Sequence, residues 1–223
     1  MTIAVEKPIT IGVTGTHSTG KSTFLARLAH DLRKNNIQVA TVADLGEQAQ
    51  RLGLPILHNH TWASTMWFIT HGISLELAVW PHAEVVLVDR PVPDALAYYR
   101  AALAHRDEHA DPDTHARLEA VVRSHVHVYD LLYRTTLDPD IPLGTDKPRD
   151  PDTAFRRLAD HHVRQVLHDL DISHTPLHAD EHDQALTHAV RYILARLTEP
   201  PVNTPAPQRI PTDASDPARG GGP

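Results

Sequence analysis

"GTHSTGKST", Gly15 to Thr23, lies between the apolar run "ITIGVT" (Ile9 to Thr14) and the segment "FLARLAHDLRK". Four residues separate Gly15 from Gly20, and Lys21 and Ser22 follow Gly20 at once, which meets the spacing G-x-x-x-x-G-K-[ST]. Glycine lets a backbone curl until successive N–H groups converge on one point. A concavity of that kind, opening onto a helix N-terminus, suits the oxygens of a phosphate chain. The spacing casts Lys21 as the cation that reaches the β- and γ-phosphates. It casts the Ser22 hydroxyl as a ligand of the Mg²⁺ that bridges them. Thr23 would support the α-phosphate. Thr16, His17, Ser18 and Thr19 complete the loop, with His17 and Ser18 shaping it rather than doing chemistry. A glycine-rich turn can also arise by chance, and the context that counts against chance is a strand before and a helix after.

The flanks supply that context. Ile9, Ile11 and Val13 alternate with smaller residues, as in a buried strand, and Phe24, Leu25, Leu28 and Leu32 recur at helical spacing up to Asn35-Asn36. Further along, strands are expected at Ile37 to Ala43, at the β-branched run Ala83 to Asp89, at "YDLLYRTTL" and at Ile172 to Ala179. Helices are expected between them: a short one at "LGEQAQRLG", a long one stopped by Pro81, one opened by Pro93, and a last one with Asp180 as its N-cap. This alternation indicates an α/β domain with a mainly parallel sheet. From Glu199 the composition turns to "EPPVNTPAPQRIPTDASDPARGGGP", which cannot build a core. The expected organisation is therefore one domain over residues 1–198 and a disordered Pro/Gly-rich tail over 199–223.

Composition narrows the class. The 223 residues carry a net charge of -7 with histidine neutral, which opposes a general grip on nucleic acid, since Lys and Arg must replace counterions there. No apolar run is long enough for a bilayer, the N-terminus has no secretory pattern, and there is no cysteine for a disulfide or thiolate. A cytoplasmic protein without membrane partners is expected. Of the 18 histidines, His105 and His109, and His174, His178 and His182, have i,i+4 spacing. Pro176 interrupts the second series and no H-E-x-x-H pattern accompanies the first, so surface or hydrogen-bonded histidines explain them better than a metal site.

A phosphate loop needs a carboxylate beside its metal. "VVLVDR" places Asp89 where the buried run stops, at the strand end where open α/β sheets hold ligands, with Arg90 next. The plain alternative is a turn cap at Asp89 and a solvated Arg90.

"GTHSTGKST" together with "VVLVDRPVPDALAYY" resembles the P-loop kinases of the thymidylate kinase and deoxynucleoside kinase branch. It resembles more closely the AAA-type ATPase/kinase group that includes nicotinamide riboside kinase-like domains. The resemblance implies a three-layer P-loop NTPase fold, with a five-stranded sheet in the order 2-3-1-4-5 and helices on both faces. It implies that Asp89 serves the metal or the acceptor hydroxyl and that Arg90 holds the acceptor or its phosphate. It further implies an Arg-containing lid in "KPRDPDTAFRRL", where Lys147, Arg149, Arg156 and Arg157 fall. Arg149 and Arg156 are the candidates to close over the transferring phosphoryl group, because a planar guanidinium pairs twice with phosphate oxygens. Such kinases often carry a proton-accepting carboxylate after strand two. Here "ADLGEQAQR" offers Asp44, nearer the strand end, and Glu47, nearer the group's pattern. Trp62, Trp67, Phe68, His71 and Glu76 lie on the following helix, where either an acceptor wall or plain core accounts for them.

Two functions remain. One is an ATP- and Mg²⁺-dependent kinase acting on a small-molecule acceptor such as a nucleoside or nucleotide, compatible with a homodimer. The other is an ATP-hydrolysing switch that acts on a protein partner. The lid-like basic loop and the Asp89-Arg90 pair favour the first.

Overall fold

A computed structural model describes residues 5–137 and 153–198. The lid candidates Lys147 and Arg149 and the expected tail lie outside the described residues. The strands are β1 (Ile9–Thr14), β2 (Val39–Val42), β3 (Val85–Asp89), β4 (Leu131–Thr135) and β5 (Thr175–Leu177). The helices are α1 (Lys21–Lys34), α2 (Gly46–Arg51), α3 (Trp62–Val79), α4 (Pro93–His105), α5 (Pro112–His125), α6 (Thr153–Asp169) and α7 (His182–Thr198).

All the strands pair in parallel, in the order β2-β3-β1-β4-β5. The pleat sends alternate side chains to opposite faces. Ile9, Ile11, Val13, Val85 and Leu87 pack with α1 and α7 on one face. Val42, Val86 and Val88 pack towards α3 on the other. Beside them α3, α4, α5 and α6 share a second apolar cluster through Ile69, Leu96, Leu118 and Val163. The result is the three-layer arrangement that the resemblance implied. Among the described residues no helix is long and apolar enough to cross a membrane.

Element ends differ from expectation where the sheet runs out of partners. Among the described residues β2 pairs only with β3, over Val39–Val42, and β5 only with β4, over Thr175–Leu177. Both edge strands are thus shorter than their apolar runs. The last helix starts at His182, so Glu181, rather than Asp180, precedes it; Ala185 N–H donates to Glu181 O at 2.9 Å. The α1 stop is as expected: Asn35 caps the helix and Asn36 takes φ 59°, a left-handed conformation that asparagine tolerates.

Candidate functional site

Gly15 leaves β1 with φ 131°, and a Cβ there would run into Thr135 Oγ1 and the Thr135 carbonyl. Only glycine fits. The curl is closed by threonines: Thr19 Oγ1 donates to Thr16 O at 2.9 Å and lies 2.6 Å from Thr135 Oγ1, while Thr135 Oγ1 reaches Thr14 O at 3.1 Å. Gly20, at φ 85°, precedes α1, and the Phe24 N–H to Gly20 O bond at 2.9 Å opens the helical ladder. The N–H groups of Lys21 to Thr23 therefore have no carbonyl within the helix to serve. Lys21 is buried and donates from Nζ to Thr16 O at 2.5 Å. Burial and the nearby Arg90 push its pKa down to about 8, against the pull of Asp89, Asp94 and Asp44.

β3 lies beside β1 with Asp89 opposite Val13, which carries the Asp89 carboxylate to the loop. Ser22 Oγ donates to Asp89 Oδ2 at 2.5 Å, and Asp89 Oδ1 is buried with no hydrogen-bond partner among the described residues. An orphaned carboxylate oxygen beside a hydroxyl is a hard-oxygen donor set, and it fits Mg²⁺.

Arg90 follows in a left-handed conformation, φ 67°. Its Nε donates to Asp44 Oδ2 at 2.7 Å, its Nη1 to Gly15 O at 3.2 Å and to Asp94 Oδ2 at 3.3 Å, and its guanidinium stands 4.9 Å over the Tyr98 ring. Asp44 also accepts the Gly46 N–H at 2.8 Å. Burial alone would raise its pKa, but Arg90 and that N–H hold it below the usual carboxylate range. Glu47 is elsewhere, exposed on α2 and paired with Arg51 at 3.3 Å. Of the two carboxylates after β2, Asp44 is the one the fold brings to Arg90.

Aromatic rings extend this cluster. His60 lies 5.2 Å from Phe68 and 6.0 Å from Tyr98, centre to centre, and Trp67 stacks on His71 at 4.8 Å. Burial, with Arg90 and Arg106, pushes His60 down to about 4, so it is neutral at working pH. Glu76 points elsewhere: it is buried against His125 Nε2 at 2.8 Å and Tyr129 OH at 2.9 Å. Trp62 is exposed.

On the loop's other side, Arg156 stands in the first turn of α6. Its Nε donates to His17 O and its Nη2 to Ser18 O, both at 3.2 Å. Arg157 is exposed. A cavity of about 160 Å³ opens here between Ser18, Thr19, Gly20, Thr136, Arg156 and His182. A larger groove of about 890 Å³ runs between α1 and α7 and includes none of the expected site residues. His109 falls beyond the end of α4, and no cluster of metal-binding side chains occurs among the described residues.

Sequence reading missed Thr14, His60 and Thr135, and it noted Asp94 after Arg90 without giving it a role. Asp94 alone has a local signal, being four residues after Arg90 at a helix start.

A parallel sheet with its phosphate loop and strand-end carboxylate at one edge defines a P-loop, nucleotide-binding NTPase fold. The profile of the AAA domain family matches residues 10–184, and the chain belongs to that family. No curated protein matches it by sequence. Among solved structures it is similar to NadR protein in complex with NAD and AMP-PNP, 13% identical with a TM-score of 0.59, covering 84% of this chain and 50% of that one. It is also similar to NadR protein in complex with NR, 14% identical with a TM-score of 0.62, covering 84% and 52%. Thymidylate kinase from Ehrlichia chaffeensis is 15% identical with a TM-score of 0.54, covering 84% and 100%. The chain thus spans about half the length of the NadR chains it matches, and these likenesses concern the fold.

Proposed function

We propose that this domain is an ATP-dependent phosphotransferase that moves the γ-phosphoryl group to a small-molecule acceptor, a nucleoside, nucleotide or related metabolite, in the cytoplasm. The observation that carries the reading is Arg90. It touches the phosphate loop at Gly15 O and the acidic pair Asp44 and Asp94 at once, so donor and acceptor sides meet at one guanidinium. The ligands printed for NadR, AMP-PNP and NR, and the name of thymidylate kinase, support a nucleotide donor and a small acceptor on this fold.

In this reading Gly15 to Thr23 cradle the triphosphate, and Lys21 exchanges Thr16 O for phosphate oxygens. Ser22 and Asp89 would hold Mg²⁺, which when bound neutralises phosphate charge. Asp44, once released from Arg90, accepts the acceptor's proton, and Arg90 orients the acceptor oxygen. Arg156, with Arg149 from the segment before it, closes the site and keeps water out.

The test is ADP release with Mg-ATP and a panel of nucleosides, nucleotides and other hydroxyl metabolites. Release that depends on one class, with a phosphorylated product, is expected. Slow release indifferent to every small molecule, and raised by a protein partner, would overturn the reading in favour of a switch.

A further inference from the structure

Two carboxylates hold Arg90, and they differ in their access to water. The Asp44 side chain is 44% exposed and the Asp94 side chain 4%. Asp94 lies in the first turn of α4, directly after Pro93, with its N–H on Pro91 O at 2.9 Å. Its Oδ1 accepts the hydroxyl of Thr14, the last residue of β1, and its Oδ2 accepts Arg90 Nη1. One buried carboxylate thus ties the strand that enters the phosphate loop to the arginine that follows β3. Removing a buried partner of this kind leaves an uncompensated charge, so the tie resists opening. The Asp44 contact already meets solvent, and solvent competes with it.

The geometry points to Asp94 as the positioning residue of the site: it anchors the Nη1 edge of Arg90 to the phosphate loop, and Asp44 is the exchangeable partner that gives way to the acceptor. The inference rests on the phosphotransferase reading only for what Arg90 is held to do. An acceptor oxygen can replace Asp44 on the Nε side, where water reaches. It cannot replace Asp94 without parting α4 from β1. The left-handed backbone of Arg90 fits this role, since such a conformation in a non-glycine residue persists only where its surroundings over-determine it.

Side-chain nitrogen NMR of the free full-length protein tests the anchor without any activity, with Arg90→Lys assigning the signals. The Nη1 protons of Arg90 should be resolved and exchange slowly with water. Asp94→Asn should speed that exchange about tenfold or more, as loss of a charged hydrogen bond implies, whereas Asp44→Asn should change it by less than about threefold. Collapse of protection in Asp44→Asn, or its retention in Asp94→Asn, would overturn the inference. If Asp94→Asn does not fold, the Asp44→Asn result decides alone. With a turned-over acceptor, Asp94→Asn should lower acceptor-dependent kcat/KM by about 10- to 100-fold while the Kd for Mg-ATP stays within about twofold. An equal loss of ATP affinity would make Asp94 a strut of the loop and overturn the inference. A wild-type chain that phosphorylates nothing counts against the function reading, and the exchange data still support or overturn the anchor.

Discussion

Lys21 sets the pH behaviour of the free site. Its pKa, about 8, lies below the ordinary 10.5 because burial and Arg90 disfavour its charge. Folding therefore favours the neutral amine, and the charged form destabilises the empty protein. That penalty is full below pH 8 and fades as pH rises towards 10.5. Lys21→Met should stabilise the empty protein by on the order of 1–3 kcal/mol at pH 7 in urea unfolding, with the gain vanishing above pH 10.5. The same variant should lose triphosphate binding. Bound phosphate restores the charge, so at pH 8 wild-type binding should take up protons. Titrations in buffers of different ionisation enthalpy read that uptake directly; none at pH 8 would contradict the assignment. At Gly15 the constraint is steric. Gly15→Ala pushes a methyl at Thr135 Oγ1 from a φ of 131°, and should cost about 1–3 kcal/mol of stability along with nucleotide binding.

At the scale of elements, α6 braces the phosphate loop and α3 braces the helical layer. Arg156→Ala removes two bonds to loop carbonyls, so it should weaken Mg-ATP binding as well as transfer. Arg149→Ala, if Arg149 serves the transferring group alone, should lower transfer far more than binding; equal losses in a paired kinetic and calorimetric comparison would count against that division. Glu76→Ala strands His125 and Tyr129 in the core and should cost about 3–5 kcal/mol, measured by urea unfolding, without shifting the Kd for ATP. Legibility in the sequence divided along the same line. Gly15, Gly20, Lys21 and Ser22 could be read because a phosphate loop is local: neighbours in sequence are neighbours in space. Asp89 could be read because a buried strand must end at the ligand edge of a parallel sheet. Asp44 and Glu47 could not be separated, because three residues at a helix start decide only by direction, and that is set by Arg90 across the sheet. Thr135 and His60 meet Thr19 and Tyr98 from far along the chain, which spacing does not encode; Asp94 pairs with Arg90 four residues away, but its tie to Thr14 spans the fold.

For the whole molecule, the sheet order explains why these parts meet. β1 and β3 are neighbours, so the phosphate loop and the Asp89-Arg90 turn leave the same edge, with β2 delivering Asp44 alongside. The β2–β3 side carries the acidic and aromatic cluster, and the β4–β5 side carries Thr135, Thr136 and the cavity near His182. Donor and acceptor would thus approach from opposite sides of β1. Everything assigned to the acceptor side presupposes a triphosphate on the loop. Calorimetric titration of the full chain with ATP, with and without Mg²⁺, measures that most directly. Saturable one-site binding that is tighter with Mg²⁺ and lost in Lys21→Met is the expected result. The absence of saturable heat with ATP or any other nucleoside triphosphate, in a folded protein, would contradict it.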